Sequence, residues 1–125
     1  MQILSQQVSV TTTGSAGSAS GSATSEAMHG FLLDVYLNYH ASAPGATTDV
    51  VLAHVDPTMG NILTVSDNAT DGRYVPRETV QTIAGATSDP DGYDRIALNG
   101  KVTVSVAQSD ALTGAVVATI RWLAL

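Results

Sequence analysis

Three histidines are the residues whose chemistry most readily suggests a metal site. His29, His40 and His54 each lie beside a predicted strand or turn, and a fold could bring three imidazoles from separate strands together around zinc. Their spacing along the chain specifies no such site. Isolated polar histidines are therefore the interpretation that the sequence favours.

Two acidic loops offer oxygen ligands for calcium. "DNATD" contains Asp67 and Asp71, and "DPDGYD" contains Asp89, Asp91 and Asp94. Carboxylates two residues apart beside a glycine can begin a calcium loop, because this cation takes several oxygen ligands. The EF-hand pattern is not met, and acids in turns also cap their own backbone. Asp89, Asp91 and Asp94 are therefore weak calcium candidates, and we predict no metal and no cofactor.

The densest group of polar and aromatic side chains lies in "DGRYVPRETV", which contains Arg73, Tyr74 and Arg77. A guanidinium group forms strong, often paired, hydrogen bonds with a carboxylate. The two arginines could meet acids of a partner protein or acids of this chain, and the sequence leaves both alternatives open.

Sequence motifs for catalysis are missing. The chain has no G-x-S-x-G nucleophile elbow and no cysteine. "GSAGSASG" imitates a phosphate-binding loop only in composition, since it does not follow a strand and open a helix. We predict that the protein is not an enzyme.

Composition limits the classes of partner. The 125 residues include five Lys and Arg against eleven Asp and Glu, for a net charge of −6, whereas a nucleic-acid surface needs clustered cations. No run is long enough to cross a bilayer, and "MQILSQQVSV" lacks the basic start of a signal peptide. We expect neither a nucleic-acid nor a membrane partner. Only 13% of the residues are charged, which is common in proteins that pack into assemblies.

Alternating hydrophobic residues predict about eight strands, separated by turns rich in Pro, Gly, Asn and Asp. The predicted strands are Ile3–Thr12, Phe31–His40, Asp49–Val55, Asn61–Ser66, Arg73–Ala84, Asp94–Asn99, Lys101–Gln108 and Ala115–Leu125. The pattern indicates one all-β domain over residues 1–125, an antiparallel β-sandwich with a jelly-roll-like arrangement. Strand order is not fixed by the sequence, so an immunoglobulin-like sandwich stays open as the alternative.

Side-chain alternation and turn residues give finer predictions. One face of the second predicted strand should carry Phe31, Leu33, Val35, Leu37 and Tyr39. Trp122 alternates in phase with buried-type residues and should lie in the core. Asn99 and Gly100 favour a type I′ hairpin, and Pro76 should mark an edge or a bulge.

The run "TTTGSAGSASGSATS", Thr11–Ser25, contains only Thr, Gly, Ser and Ala. It predicts an extended loop or arm at residues 11–29, steadied by neighbouring subunits. We expect its deletion to weaken partner binding and to leave the β core folded. The residues proposed to contact partners are Thr11, Gly14, Ser18, Ser25, Arg73, Tyr74 and Arg77.

Three blocks carry a resemblance to a known family: "GFLLDVYLNYHASAPGATTDVVLAHV", "NILTVSDNATDGRYVPRETVQ" and "YDRIALNGKVTVSVAQSDALTGAVVATIRWL". They resemble capsid decoration, or cement, proteins of tailed bacteriophages, from about Gly30 to Leu123. The most specific pieces are "TDGRYVPR" and "LTGAVVATIRW". The resemblance implies a β-rich structural protein that is synthesised in the host cytoplasm and lies on the capsid surface of a virion. Its partners would be the major capsid protein and copies of itself, with a trimer as the first expectation.

Two alternatives stay open. A host-recognition or carbohydrate-binding module would expose aromatic rings or an acidic pocket, yet Trp122 is the only tryptophan. A component of the head–tail junction or the tail would have the same composition but few copies per particle.

Overall fold

The computed structural model describes residues 1–88 and 92–125, and all eleven regular elements in these residues are β-strands. The strands are β1 (Gln2–Val10), β2 (Ala19–Thr24), β3 (Met28–Tyr39), β4 (Asp49–His54), β5 (Asn61–Val65), β6 (Gly72–Tyr74), β7 (Arg77–Thr79), β8 (Tyr93–Arg95), β9 (Ala97–Gly100), β10 (Val102–Ser109) and β11 (Val116–Ala124). The described part of the chain contains no helix long and apolar enough to span a membrane.

The strands form three antiparallel sheets. The first sheet has the order β1-β11-β3-β6, and β9 also pairs with β3. The second sheet has the order β2-β10-β4-β5, while β7 and β8 form a separate two-stranded sheet. The prediction of an all-β, antiparallel fold is confirmed.

The first and second sheets enclose one apolar core. The central strand β10 buries Val102, Val104 and Val106, and β11 buries every second residue from Val116 to Trp122. The core position predicted for Trp122 is confirmed. Each fully buried aliphatic side chain of this kind stabilises the fold by about 1.5–3 kcal/mol.

Strands with regular alternation and clear turn residues have nearly the predicted bounds, as β4 and β5 show. Two predicted strands are instead divided. Arg73–Ala84 contains most of β6 and all of β7, because the strand pairing is interrupted at Val75 and Pro76. Asp94–Asn99 contains most of β8 and β9, which pair with different strands. These divisions and the additional β2 account for eleven strands in place of about eight.

The prediction of an extended loop over residues 11–29 is wrong for much of its length, because β2 lies within it. β2 pairs with β10, and Thr13 and Ser20 form a further bridge that closes a turn. A side chain at Gly21 would overlap the carbonyl oxygen of Thr11. Small residues therefore allow two backbones to approach closely. Hydrogen bonds to β10, rather than large side chains, hold the segment.

The prediction of a hairpin at Asn99 and Gly100 is also wrong. β9 pairs with β3 in the first sheet, and β10 pairs with β2 and β4 in the second. The chain therefore crosses between sheets at this point. Gly100 has φ +128°, and Asn99 lacks the positive φ that a type I′ turn requires.

A β-bulge in β3 changes which side chains face the core. Arg121 pairs with Asp34, and the next residue, Trp122, pairs with Leu32, so Leu33 is the extra residue. Leu32 is consequently buried, and Phe31 faces solvent. The prediction that Phe31 and Leu33 share a face with Val35, Leu37 and Tyr39 is wrong, because a bulge reverses the alternation.

Candidate interaction surface

An apolar row crosses the outer face of the first sheet, on the side away from the core. Ile3 of β1 pairs with Leu123 of β11, which pairs with Phe31 of β3, which pairs with Ala97 of β9. Ile3 is 62% exposed and Phe31 is 38% exposed. Four neighbouring strands therefore present adjacent apolar side chains to solvent, and we call this set the apolar row.

An ionic cluster lies beside the apolar row on the same face. Asp34 accepts hydrogen bonds from Arg73 Nε at 2.8 Å and from Arg121 Nε at 2.7 Å, and Arg121 Nη2 is a further donor. These partners bury the carboxylate almost completely, although both arginines remain about half exposed. The hydrogen bonds from Arg121, helped by Arg73, hold the pKa of Asp34 below its ordinary value of 3.8, against the opposing effect of burial.

The outer face of the first sheet is less acidic than the rest of the protein. The ionic cluster contributes two of the five cations and one of the eleven acids. Its neighbours across the sheet, Gln7, Thr119 and Tyr36, are uncharged. A partner that approaches this face therefore meets an apolar row and a small positive excess, while the remaining surface is acidic.

A polar cleft of about 370 Å³ lies at one end of the second sheet. Burial lowers the pKa of His54, although the nearby carboxylates of Asp56 and Glu78 act in the opposite direction. The imidazole therefore stays neutral to lower pH than a free histidine does. The lining residues include His54, Thr58, Asn61, Ile62, Arg77 and Glu78.

The residues predicted to form a flexible arm differ in their availability to partners. Ser25 is buried, and its Oγ accepts a hydrogen bond from Val102 N at 2.9 Å. Gly14 and Ser18 lie in the exposed turn that follows β1. Thr11 is exposed and its Oγ1 accepts a hydrogen bond from Gly114 N at 3.3 Å. Deleting Thr11–Ser25 would remove β2 and its pairing with β10, so such a variant should lose part of the second sheet.

The arginine and tyrosine residues of "DGRYVPRETV" are engaged within the chain. Arg73 belongs to the ionic cluster. Arg77 Nη1 donates to the backbone oxygens of Leu33 at 3.2 Å and Pro76 at 2.7 Å. The hydroxyl of Tyr74 accepts a hydrogen bond from Asn68 Nδ2 at 3.1 Å. Arg73 therefore pairs with an acid of this chain, which was the intramolecular alternative. Arg77 binds backbone carbonyl groups instead of an acid.

The candidate metal ligands do not converge in the described residues, which contain no group of three His, Cys, Asp or Glu side chains able to hold a metal. His29 Nδ1 lies 3.0 Å from Asn99 Oδ1, and His40 Nδ1 accepts a hydrogen bond from Ser42 N at 3.0 Å. Asp94 accepts a hydrogen bond from the following backbone N–H. Asp89 and Asp91, the other two weak calcium candidates, lie outside the described residues.

The apolar row was missed at the sequence level, although a signal for it exists. Three strands contain adjacent large apolar residues, namely Ile3–Leu4, Phe31–Leu32 and Trp122–Leu123. Adjacent side chains of a strand point to opposite faces. Each pair therefore supplies one side chain to the core side and one to the outer face. Together the three pairs indicate that this part of the sheet carries apolar side chains on both faces.

Comparison with known proteins does not place this fold in a family: no family model matches the sequence, and no curated protein matches it significantly.

Proposed function

We propose that the protein is a structural virion component that binds the outside of a phage capsid shell and stabilises it. The uncovered outer face of the first sheet carries this proposal. An exposed apolar row beside a mostly uncharged surface is typical of a protein–protein contact. The resemblance of residues 30–123 to decoration proteins supplies the identity of the partner, the major capsid protein.

The strand order supports a jelly-roll-like β-sandwich as the finer description of the fold. The first sheet has four strands in its main order and β9 as a fifth, the second sheet has four strands, and the chain alternates between the two sheets from β1 to β4. Jelly rolls consist of eight strands in two sheets and occur in viral capsid proteins and in lectins. This fold is compatible with a shell subunit, but fold alone does not determine function.

Shell stabilisation would follow from mass action. A subunit that binds the assembled lattice and not the free capsid protein shifts the equilibrium towards the lattice. Contacts repeated around a symmetry axis gain further affinity, because each bound subunit positions the next contact. The low charge of the outer face keeps repulsion between the subunit and the shell small.

Reconstitution on particles tests the proposal. Purified protein is added to shells that have been stripped of it, and the bound fraction is measured by co-sedimentation together with the temperature at which the shells open. We expect Phe31→Asp to reduce binding by about tenfold or more, because it places a charge in the apolar row. The matched control, Ser105→Asp, adds the same charge to the exposed outer side of the second sheet and should bind normally.

Three results would contradict the proposal. The protein could be absent from intact virions, could bind shells without raising their opening temperature, or could bind equally well with Asp at position 31. The copy number separates decoration from a head–tail or tail role, since a shell protein is present in many copies and a connector in few.

A second candidate function rests on the polar cleft. His54, Asn61 and Glu78 place imidazole, amide and carboxylate groups around one opening, and polar groups of this kind can bind sugar hydroxyls. A host-recognition module that binds carbohydrate would therefore use the second sheet. Binding on a glycan array that is lost in His54→Ala and retained in Phe31→Asp would favour this function over decoration.

A further inference from the structure

The strand β1 is an open sheet edge. β11 pairs with it along its whole length, from Gln2 opposite Ala124 to Val10 opposite Val116. No strand in residues 1–88 or 92–125 pairs with its other side. Backbone N–H and C=O groups along that side are therefore available to another strand.

The other edges of the two main sheets carry features that discourage pairing, and β1 carries none. The β2 edge is interrupted by a register shift against β10, and the β5 edge by one against β4. The β6 edge is three residues long and is followed closely by Pro76, and the β9 edge is only four residues long. β1 has nine residues with an unbroken register, and it contains neither proline nor a charged side chain. Charges, prolines, bulges and short length are the usual protection of an edge.

We propose that β1 pairs with β1 of a second copy in antiparallel orientation, with a two-fold axis at Leu4. This register places Gln2 opposite Gln6 of the other copy, and Ile3 opposite Ser5 of the other copy. Leu4 then lies opposite its own equivalent. The strand is complementary to itself in this register, since amide faces amide and leucine faces leucine.

Charge favours a second copy as the occupant of this edge. Each copy carries a net charge of −6, so two copies repel except where their surfaces are uncharged. The first 25 residues contain no charged side chain. On the outer edge of β1, Gln6 is contacted only through its side chain, whose Oε1 accepts a hydrogen bond from Glu26 N, while Gln2–Ser5 are exposed; within the described residues no strand pairs with the outer edge of Gln2–Gln6. Two acidic copies can therefore meet here without opposing like charges.

Pairing would join the apolar rows of the two copies. Opposite residues of an antiparallel pair point to the same face, so the two-fold axis is perpendicular to the sheet. Ile3 of each copy then lies on a diagonal of about 7–8 Å from the other, within reach of an aliphatic side chain. The result is one continuous sheet with both outer faces on the same side, in place of the trimer first expected. Only the use of that double face on a shell rests on the proposed function.

Analytical ultracentrifugation of the purified full chain, without any shell, tests the pairing. We expect a concentration-dependent equilibrium between monomer and dimer. Leu4→Lys and Leu4→Glu should each weaken dimerisation by roughly tenfold or more, because like charges then oppose each other at the axis. An equimolar mixture of the two variants should form a heterodimer. Ile83→Lys, which changes a fully exposed aliphatic residue elsewhere, is the matched control and should dimerise normally.

Single cysteines test the register without depending on the folding of the charged variants. The chain has no other cysteine. Leu4→Cys should form a disulfide-linked dimer under mild oxidation, and Gln7→Cys should not, since position 7 lies six residues away from its equivalent in this register. A wild-type chain that stays monomeric at every concentration, or cross-linking that favours position 7, would overturn the proposal. Either result leaves shell binding untouched, so the two proposals can fail separately.

Discussion

In both main sheets alternate side chains of each strand point to the outer face, but the two outer faces expose different types of side chain. On the first sheet, Ile3, Leu123 and Phe31 form an apolar row beside the ionic cluster. On the second sheet, the strands expose small and hydroxyl-bearing side chains. The outward-facing pairs between β2 and β10 are Thr24 with Thr103, and Ser22 with Ser105.

The difference supports the proposal that the first sheet is the side that binds partners. Small hydroxyl side chains are well solvated and gain little from being covered. Large apolar side chains gain about 25 cal/mol for each Å² that a partner removes from water. Burying the apolar row would therefore stabilise a complex, whereas covering the second sheet would not. Three perturbations test how firmly the first sheet holds this face in place.

The largest expected effect is at Gly30, where β3 lies close to β11. Gly30 has φ +138°, and a Cβ there would overlap the backbone carbonyl oxygen of Leu123. We expect Gly30→Ala to lower the free energy of unfolding by about 3 kcal/mol or more, since both the backbone conformation and the strand pairing are disturbed. Urea unfolding followed by tryptophan fluorescence measures the change, because Trp122 lies two residue pairs away in the same strand pairing.

Gly72→Ala is the control for this effect. Gly72 lies in the same sheet without a positive φ, and an added Cβ would contact only side-chain atoms of Tyr74 at 3.4–3.5 Å. Its cost should stay within about 1 kcal/mol. Equal losses of unfolding free energy in Gly30→Ala and Gly72→Ala would show that the close approach of β3 and β11 does not stabilise the part of the sheet that carries the apolar row.

A smaller effect is expected from the ionic cluster. Asp34→Asn removes the charge that both arginines contact, and we expect it to cost about 1 kcal/mol at neutral pH, because Arg73 and Arg121 are half exposed and regain water. Since the pKa of Asp34 is depressed in the folded state, its contribution is complete above about pH 4 and is lost as the pH falls through the folded value.

Unfolding curves at a series of acid pH values give the measurement. The wild-type protein should lose more stability below about pH 4 than Asp34→Asn does. Asp67→Asn is a suitable control, because Asp67 has φ +52°, a conformation that asparagine tolerates well. If both variants retain the acid sensitivity of the wild type, the ionic cluster does not stabilise the first sheet.

Much of the second sheet was predictable because its information is local. β4 and β5 have clean alternation and lie between turn residues, so their bounds follow from the sequence nearly to the residue. The core position of Trp122 followed from its spacing alone. By contrast, β2 was missed because its six residues have small side chains, and its stability comes from the backbone of β10, which is distant in sequence.

The candidate interaction surface was least predictable because it depends on pairing between strands. The bulge at Leu33 exposes Phe31 and brings Asp34 between Arg73 and Arg121, but it is defined only by the register with β11. Likewise, Asn99 and Gly100 have the local signature of a hairpin, yet the strands on either side belong to different sheets. Local rules cannot anticipate which distant strand supplies the hydrogen bonds.

The smallest expected effect is in the core beneath both faces, at Tyr39. Its hydroxyl is buried and makes no hydrogen bond of normal geometry in the described chain, because the nearby Asn68 amide, which acts to lower its pKa, donates to Tyr74 instead. Burying a hydroxyl without a partner costs free energy, so Tyr39→Phe should raise the free energy of unfolding by about 0.5–1 kcal/mol at neutral pH. Tyr36→Phe, at a side chain exposed on the outer face, should change it little.

Stability measured at alkaline pH distinguishes the removal of an unpartnered hydroxyl from a general gain in hydrophobicity. Burial raises the pKa of Tyr39 to about 12, so the folded state keeps its proton after the unfolded chain has lost it. Wild-type stability should therefore fall as the pH rises above about 10, and the fall should be smaller in Tyr39→Phe. A variant that is less stable than the wild type at neutral pH would mean that the hydroxyl has a partner after all. The buried hydroxyl would then contribute a stabilising hydrogen bond to the core.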